Sequence, residues 1–152
     1  MGQREENLEK ARKLIHSHCG KLEKTSSIYE TAAWGKTDQQ AFLNQALLLQ
    51  TSFSAPELMQ ELLRIEALMG RERKERYGPR LIDIDILLFD EQVQEEEFLK
   101  IPHPEMSRRR FALVPLAEIA PDLRHPVFQK TIRQLLEECT DKLGVKNYSS
   151  SL

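Results

Sequence analysis

Two carboxylates in the segment 81–89 have the type and spacing needed to hold a hard metal cation. The segment reads L-I-D-I-D-I-L-L-F, so Asp83 and Asp85 are two residues apart. Side chains two apart in a strand point to the same face, and a rise of about 3.4 Å per residue places these two about 7 Å apart. Carboxylates at this spacing can bind one hard cation or a pair of them.

A basic stretch comes directly before this segment. Positions 71–80 contain two acidic residues, Glu72 and Glu75, and thus a local excess of three positive charges in a chain of net charge -2. The five basic residues are Arg71, Arg73, Lys74, Arg76 and Arg80. Arginine binds phosphate oxygens in pairs, and carboxylates hold magnesium beside phosphates. The two stretches together favour a phosphoryl-transfer site.

The same residues also allow plainer interpretations. Alternating Asp and Ile is typical of a half-exposed strand whose Asp side chains face water, and a run of charges usually marks a solvated loop. However, Asp is a poor strand former, and the face that carries it continues into Leu87 and Phe89. This continuation disfavours a purely solvated face.

Composition sets the broad class of the protein. A chain of 152 residues with 40% hydrophobic and 30% charged residues predicts one globular domain over residues 1–152. The sequence shows neither an apolar run of membrane-spanning length nor a signal-peptide pattern, which predicts a cytoplasmic protein. Cys19 and Cys139 are predicted to be buried free thiols. The net charge argues against a general nucleic-acid binder.

The first half of the chain predicts helices and strands that could position these groups. A helical spacing of apolar residues predicts a helix over 4–19, ended by Gly20. Strands are predicted over 25–31 and 42–53, joined by a polar loop at 32–40.

A second helix follows. Ser54-Ala55-Pro56-Glu57 has the pattern of a capping box with proline in the first turn. Its predicted buried stripe is Leu58, Leu62, Ile65 and Met69. The later predicted elements are a strand at 81–89, a helix from Ser107 interrupted at Pro115, a helix at 131–139, and a frayed tail from Gly144.

The order of elements is therefore α-β-β-α-β followed by helices. It predicts an α+β fold, a ferredoxin-like α/β sandwich with helices packed on an antiparallel sheet, in which the first strand is missing.

The motifs resemble those of the 6-hydroxymethyl-7,8-dihydropterin pyrophosphokinase family, enzymes of folate synthesis. The strongest match is G-P-R-L-I-D-I-D-I-L-L-F at 78–89, and further matches lie at 42–44, 64–74, 101–106 and 109–116. Members of this family begin with a strand that ends in G-S-N. The resemblance therefore implies an N-terminally shortened pterin pyrophosphokinase domain over 1–152.

The resemblance implies a set of residues for ATP and metal. Asp83 and Asp85 would hold two magnesium ions. The implied ATP-binding residues are Arg71, Arg73, Lys74, Arg80, His103 and Arg109, of which Arg71 and Arg80 are also catalytic together with the two aspartates. A histidine between two prolines is otherwise typical of a surface loop.

The resemblance also implies a pterin-binding set: Thr31, Trp34, Phe42, Asn44 and Phe111. Phe42 and Phe111 would sandwich the flat ring, although each would otherwise be interpreted as a core residue. Asn44 shares a strand face with Phe42 and would contact the pterin edge. Trp34 is either a lid residue or an exposed loop aromatic.

Two further residues, Glu66 and Tyr77, match positions of the family. Glu66 matches a carboxylate of the family and is otherwise a helix-surface charge. Tyr77 stands where an aromatic covers the pocket.

The implied function is transfer of pyrophosphate from MgATP to the pterin by a cytoplasmic monomer that binds neither nucleic acid nor membrane. Two alternatives are a non-catalytic nucleotide-binding domain and a domain that binds single-stranded RNA. Paired aspartates disfavour the RNA-binding alternative because, without a metal, they repel phosphate.

Overall fold

The structure is a computed structural model that describes residues 3–31, 42–70 and 82–148. The predicted loop at 32–40, with Trp34, and the basic stretch at 71–80, with Tyr77, lie outside these residues. The described residues form two compact units. The first contains residues 3–23, 49–70 and 82–86, and the second contains residues 24–31, 42–48 and 87–148. The single domain over 1–152 stays a prediction.

Two packed helices build the first unit, α1 (Gln3–His18) and α2 (Ala55–Gly70). The capping box at the start of α2 is confirmed, because the Ser54 N–H donates to Glu57 Oε1 at 2.8 Å and the Glu57 N–H donates to Ser54 Oγ at 3.3 Å. The predicted apolar stripe of α2 is buried in full: Leu58, Leu62, Ile65 and Met69.

A glycine ends α1 at a point where the chain passes very close to another segment. Gly20 has φ +151°, and a Cβ built there would lie 2.1 Å from the carbonyl oxygen of Gln50. Next to it, Thr51 Oγ1 donates to the carbonyl oxygen of Cys19 at 2.5 Å. Glycine is therefore required here by close backbone approach as well as by its positive φ.

Both cysteines are free, as predicted. Cys19 is buried, and burial raises the pKa of its thiol to about 11, so the thiol stays protonated at neutral pH. Cys139 is half-buried rather than buried.

Each of the two predicted strands in the first half of the chain is split into two shorter strands. The predicted strand 25–31 is observed as β1 (Lys21–Thr25) and β2 (Tyr29–Thr31). The predicted strand 42–53 is observed as β3 (Phe42–Asn44) and β4 (Leu47–Gln50). Strand β1 pairs with β4, and β2 pairs antiparallel with β3.

The breaks have a common physical cause. The Ser26 N–H donates to the carbonyl oxygen of Ala46 at 2.9 Å, while the Ala46 N–H donates to the buried Ser26 Oγ at 2.9 Å. A side-chain oxygen thus takes the place of a backbone oxygen at this point. Local competition of this kind interrupts a ladder and is not visible in strand propensity.

The last strand, β7 (Val145–Asn147), pairs antiparallel with β2 and completes a three-stranded sheet of order β3-β2-β7. The prediction of a frayed tail from Gly144 is therefore wrong. Three residues with one half-buried valine give little periodic signal, and their stability comes from pairing with a distant strand.

Two helices of the second unit pack against each other, α3 (Arg110–Ile119) and α4 (Ile132–Glu138). Pro115 lies inside α3 and is less than 2% exposed, so the predicted interruption there is wrong. Burial of the ring offsets the hydrogen bond that proline cannot donate. The core that these helices share with the sheet comprises Ala46, Met106, Leu113, Leu116, Ile119, Ile132 and Leu135.

Residues 82–89 form no strand, and the strand prediction for this segment is wrong. Their backbone groups bond elsewhere: the Ile84 N–H donates to a side chain of α2, and the Leu87 carbonyl oxygen accepts from the His103 N–H at 2.9 Å. Alternate burial nevertheless persists, since Asp83 and Asp85 are exposed while Ile86 is buried.

A hairpin that the sequence did not predict follows this segment. It consists of β5 (Gln94–Glu96) and β6 (Leu99–Ile101), which pair antiparallel.

With antiparallel sheets and a helix, α3, in contact with β2, β3 and β7, the described residues confirm the α+β class and the packing of a helix on an antiparallel sheet.

Candidate active site

The paired aspartates that are predicted to hold a cation lie in the first unit. Asp83 and Asp85 are both exposed, and the isoleucine between them is half-buried. Magnesium is usually held by one or two carboxylates together with waters and substrate phosphates. Among the described residues, no cluster of three or more His, Cys, Asp or Glu side chains forms a closed metal cage. Two hard, accessible oxygen donors therefore fit magnesium bound with phosphate.

The four cations of the basic stretch that are predicted to bind ATP cannot be added to this geometry. Arg71, Arg73, Lys74 and Arg80 lie outside the described residues, as does Trp34.

In the second unit, a side-chain hydrogen bond joins two residues predicted to contact the pterin. Asn44 Nδ2 donates to Thr31 Oγ1 at 2.9 Å, and Thr31 is 2% exposed. An amide offers one oxygen acceptor and two N–H donors. In this orientation the Thr31 hydroxyl engages one N–H donor of the amide, and the Oδ1 and the second N–H remain for another partner.

Phe42 lies beside this pair. It faces Thr31 in the register of β2 and β3 and is two residues from Asn44, which places all three side chains on one face of the sheet. At 56% exposed, Phe42 is not a core residue, and the alternative interpretation of it is wrong. An exposed aromatic next to an oriented amide is suited to a flat polar ring.

Helix α3 packs on this same face of the sheet. Tyr29 faces Asn44 in the ladder, and its hydroxyl donates to Glu118 Oε1 on α3 at 2.6 Å. Since Tyr29 shares a face with Asn44, α3 lies over the face that carries the predicted pterin residues.

The start of α3 contributes an arginine and a half-buried aromatic ring. Arg109 is the N-cap residue of α3, and its guanidinium carbon lies 5.7 Å from the centroid of the Phe111 ring. This is a cation–π distance, so a predicted phosphate-binding residue and a predicted pterin-binding residue are direct neighbours.

Asp141 supports this helix start, and the sequence analysis missed it. The Arg110 N–H donates to Asp141 Oδ2 at 2.9 Å, and the Leu143 N–H donates to Asp141 Oδ1 at 3.0 Å. These backbone hydrogen bonds lower the pKa of Asp141. No local pattern indicates this contact because the carboxylate comes from beyond α4.

Glu118 anchors the other end of α3 and was also missed. Its two carboxylate oxygens each accept from the Ser27 N–H at 3.1 Å, and Oε2 accepts from the Ser27 hydroxyl. Burial, with help from Glu118, raises the pKa of Tyr29 to about 12. Burial opposes ionisation of Glu118 as well, but the hydrogen bonds from Tyr29 and Ser27 outweigh it and lower the pKa of Glu118.

His103 is half-buried, and hydrogen bonds to nearby backbone groups hold it in place. Its backbone N–H donates to the Leu87 carbonyl oxygen at 2.9 Å, and its ring Nδ1 accepts from the Glu105 backbone N–H at 3.1 Å. A ring whose Nδ1 accepts carries its proton on Nε2 when neutral. The Nε2–H is then a donor suited to an anionic oxygen, which a free surface-loop histidine would not present in a fixed direction.

The chain that carries these residues matches a known protein family. Residues 1–121 match the family described as 7,8-dihydro-6-hydroxymethylpterin-pyrophosphokinase (HPPK). The chain belongs to this family, which confirms the resemblance found in the sequence and the ferredoxin-like fold class.

Individual relatives agree with the family match. The chain is 40% identical over 121 residues to the 2-amino-4-hydroxy-6-hydroxymethyldihydropteridine pyrophosphokinase of Aquifex aeolicus (strain VF5), covering 80% of this chain and 76% of that protein. It is 42% identical over 147 residues to the protein of the same name from Bacillus subtilis (strain 168), covering 96% and 83%. It is also 37% identical to folic acid synthesis protein fol1 of Schizosaccharomyces pombe (strain 972 / ATCC 24843), covering 99% of this chain and 20% of that protein.

Proposed function

We propose that this chain transfers pyrophosphate from ATP to 6-hydroxymethyl-7,8-dihydropterin, giving AMP and the pterin diphosphate in folate synthesis. The observation that carries the proposal is the extent of the family match, since residues 1–121 contain every residue that is predicted to bind ATP, metal or the pterin. The Aquifex aeolicus and Bacillus subtilis relatives are both named as pyrophosphokinases.

On the nucleotide side, Asp83 and Asp85 would hold two magnesium ions. Bound there, magnesium supplies neutralisation of phosphate charge. The His103 Nε2–H donates to a phosphate oxygen, and Arg109 binds a second one from the start of α3. Arg71, Arg73, Lys74 and Arg80 complete the predicted phosphate-binding set, with Arg71 and Arg80 acting on the charge that develops during transfer.

On the pterin side, Asn44 accepts with Oδ1 and donates with its second N–H toward the edge of the ring. The bond to Thr31 supports this direction because it occupies the other N–H. Phe42 and Phe111 stack on the two faces of the ring. Trp34 covering the bound pterin stays a prediction.

The reaction forms a bond between the hydroxymethyl oxygen and the β-phosphorus of ATP. The bond from that phosphorus to the oxygen bridging to the α-phosphate breaks, AMP leaves with this oxygen, and the hydroxyl proton is released. We assign the rate enhancement to positioning of the two substrates and to neutralisation of phosphate charge.

Nucleotide product analysis tests the proposal. The chain is incubated with ATP and magnesium, with and without the pterin, and AMP is expected only when the pterin is present. Tight ATP binding without AMP would support the non-catalytic nucleotide-binding alternative. Salt-sensitive binding of single-stranded RNA without magnesium would support the RNA-binding alternative.

Two variants test the metal assignment. Asp83→Ala and Asp85→Ala are each expected to lower kcat roughly a thousandfold, because charge stabilisation by a metal amounts to several kcal/mol. The matched control is Asp122→Ala, which removes an exposed carboxylate that lies 3.3 Å from Arg133. Near-normal turnover in either of the first two variants contradicts the assignment.

None of the described helices is long and apolar enough to span a bilayer. A cytoplasmic monomer without nucleic acid stays a prediction from the sequence, and sedimentation of the purified chain tests its oligomeric state.

A further inference from the structure

A carboxylate from α2 binds the backbone between the two aspartates. Glu66 Oε2 accepts from the Ile84 N–H at 2.6 Å. Ile84 is the middle residue of Asp83-Ile84-Asp85, so the bond is made at the peptide that joins the two proposed metal ligands. A hydrogen bond to an ionised acceptor at this distance is among the stronger ones in proteins.

The acceptor is itself fixed in place. Glu66 is half-buried, and it follows Ile65 directly on a helix whose apolar stripe is buried. Ile65 is 2% exposed and Met69 is 1% exposed, which prevents rotation of α2 about its axis. The interpretation of Glu66 as a helix-surface charge is therefore wrong.

The bond matters because the segment has no other regular support. Residues 82–89 form no strand, so no ladder of backbone bonds sets the direction in which their side chains point. In extended chain the direction of one N–H fixes the faces taken by the residues on either side of it. Binding of the Ile84 N–H thus sets the side toward which Asp83 and Asp85 project.

We infer that Glu66 is a positioning residue that acts through the Ile84 amide to hold the carboxylates of Asp83 and Asp85 toward one cation-binding side. This inference rests on the proposed function, since it assigns those two aspartates to magnesium. Ligands that are oriented before the cation arrives lose less conformational freedom on binding. Partners that orient metal ligands in this way typically change metal affinity 10- to 100-fold when removed.

Three substitutions of Glu66 distinguish the effect of the side chain's reach from the effect of its charge. Glu66→Gln keeps an acceptor oxygen at the same reach and loses the charge, whereas Glu66→Asp keeps the charge and shortens the reach by one methylene. Glu66→Ala removes both. The matched control is Glu61→Gln on the same helix, where the carboxylate pairs with the exposed Arg64 at 3.3 Å.

The first measurement is cation affinity, taken from Mn²⁺ binding in the presence of ATP without turnover. We expect Glu66→Asp and Glu66→Ala to weaken it about tenfold or more, and Glu66→Gln and Glu61→Gln to stay within about threefold of wild type. The second is the magnesium dependence of AMP formation, where the half-saturating concentration should rise in the same two variants while the KM for the pterin is unchanged.

Other outcomes overturn the inference. Loss of Mn²⁺ affinity in Glu66→Gln with wild-type affinity in Glu66→Asp would show that charge rather than reach matters. A drop in thermal stability of Glu66→Ala with unchanged Mn²⁺ affinity in all three variants would make the bond merely structural. A wild-type chain that binds Mn²⁺ but forms no AMP would contradict the proposed function, and the affinity series would still decide the inference.

Discussion

Asn44 Nδ2 donates to Thr31 Oγ1 at 2.9 Å, across a ladder in which the backbone of Thr31 faces Phe42. Because Thr31 is almost fully buried, its hydroxyl has little freedom to turn toward water. The hydroxyl therefore holds the Asn44 amide in place, and in the observed orientation it accepts from Nδ2. An amide turned the other way would present a donor where we propose that the pterin supplies a donor too.

Thr31→Val is expected to raise the KM for the pterin about fivefold with little change in the KM for ATP, since loss of one oriented hydrogen bond amounts to about 1 kcal/mol. Thr31→Ser keeps the hydroxyl and should stay close to wild type. Steady-state kinetics with each substrate varied in turn make the comparison. A parallel rise in both KM values, or equal effects of valine and serine, would contradict this assignment.

Gly20→Ala is expected to lower the free energy of unfolding by about 3 kcal/mol, because the new Cβ meets the Gln50 carbonyl oxygen and the backbone has a positive φ. Urea denaturation measures the change. Gly144→Ala is the matched control, since a Cβ there has nothing within 4 Å, and it should change stability by less than about 0.5 kcal/mol. Similar losses in the two variants would refute the steric explanation.

Tyr29 is expected to ionise with a pKa of about 12 instead of its ordinary value of 10.0, because burial and the nearby Glu118 carboxylate both disfavour tyrosinate. A pKa that is raised on folding gives stabilisation that is fully present below pH 10 and is lost as the pH rises through 12. The difference in tyrosinate absorbance between wild type and Tyr29→Phe isolates this group.

Glu118→Gln serves as the companion variant for this titration. It should lower the pKa of Tyr29 only partly, since burial is the larger cause. A Tyr29 that titrates near pH 10 in the wild type would show that its hydroxyl is not held against α3.

Local signals in the sequence predicted the elements that depend on local contacts. The prediction of a capping box at Ser54 and Glu57 was confirmed because both hydrogen-bonding partners lie at the start of one helix. The prediction of the apolar stripe ending at Met69 was confirmed because it requires only that those side chains be buried. The exposure of Asp83 and Asp85 agrees with the plainer interpretation of their alternation with isoleucines, in which the aspartates face water.

Contacts between distant segments were the ones that the sequence could not predict. Pro115 was expected to break α3, but its tolerance depends on the core that buries it. The segment 82–89 was expected to be a strand, but its amide and carbonyl groups bond to Glu66 and His103. Asp141 and Glu118 hold the two ends of α3 through residues far along the chain, and no spacing rule connects such positions.

The pairing of β7 with β2 has a consequence for the order in which the molecule is made. Thr31 and Val145 are partners in the ladder although most of the chain separates them. During synthesis, β2 can pair with β3 early, but its other edge has no partner until residues 145–147 have left the ribosome. A nascent chain therefore carries an open strand edge next to the predicted pterin residues while the residues between β3 and β7 are made, and strand edges of this kind are where chains associate wrongly.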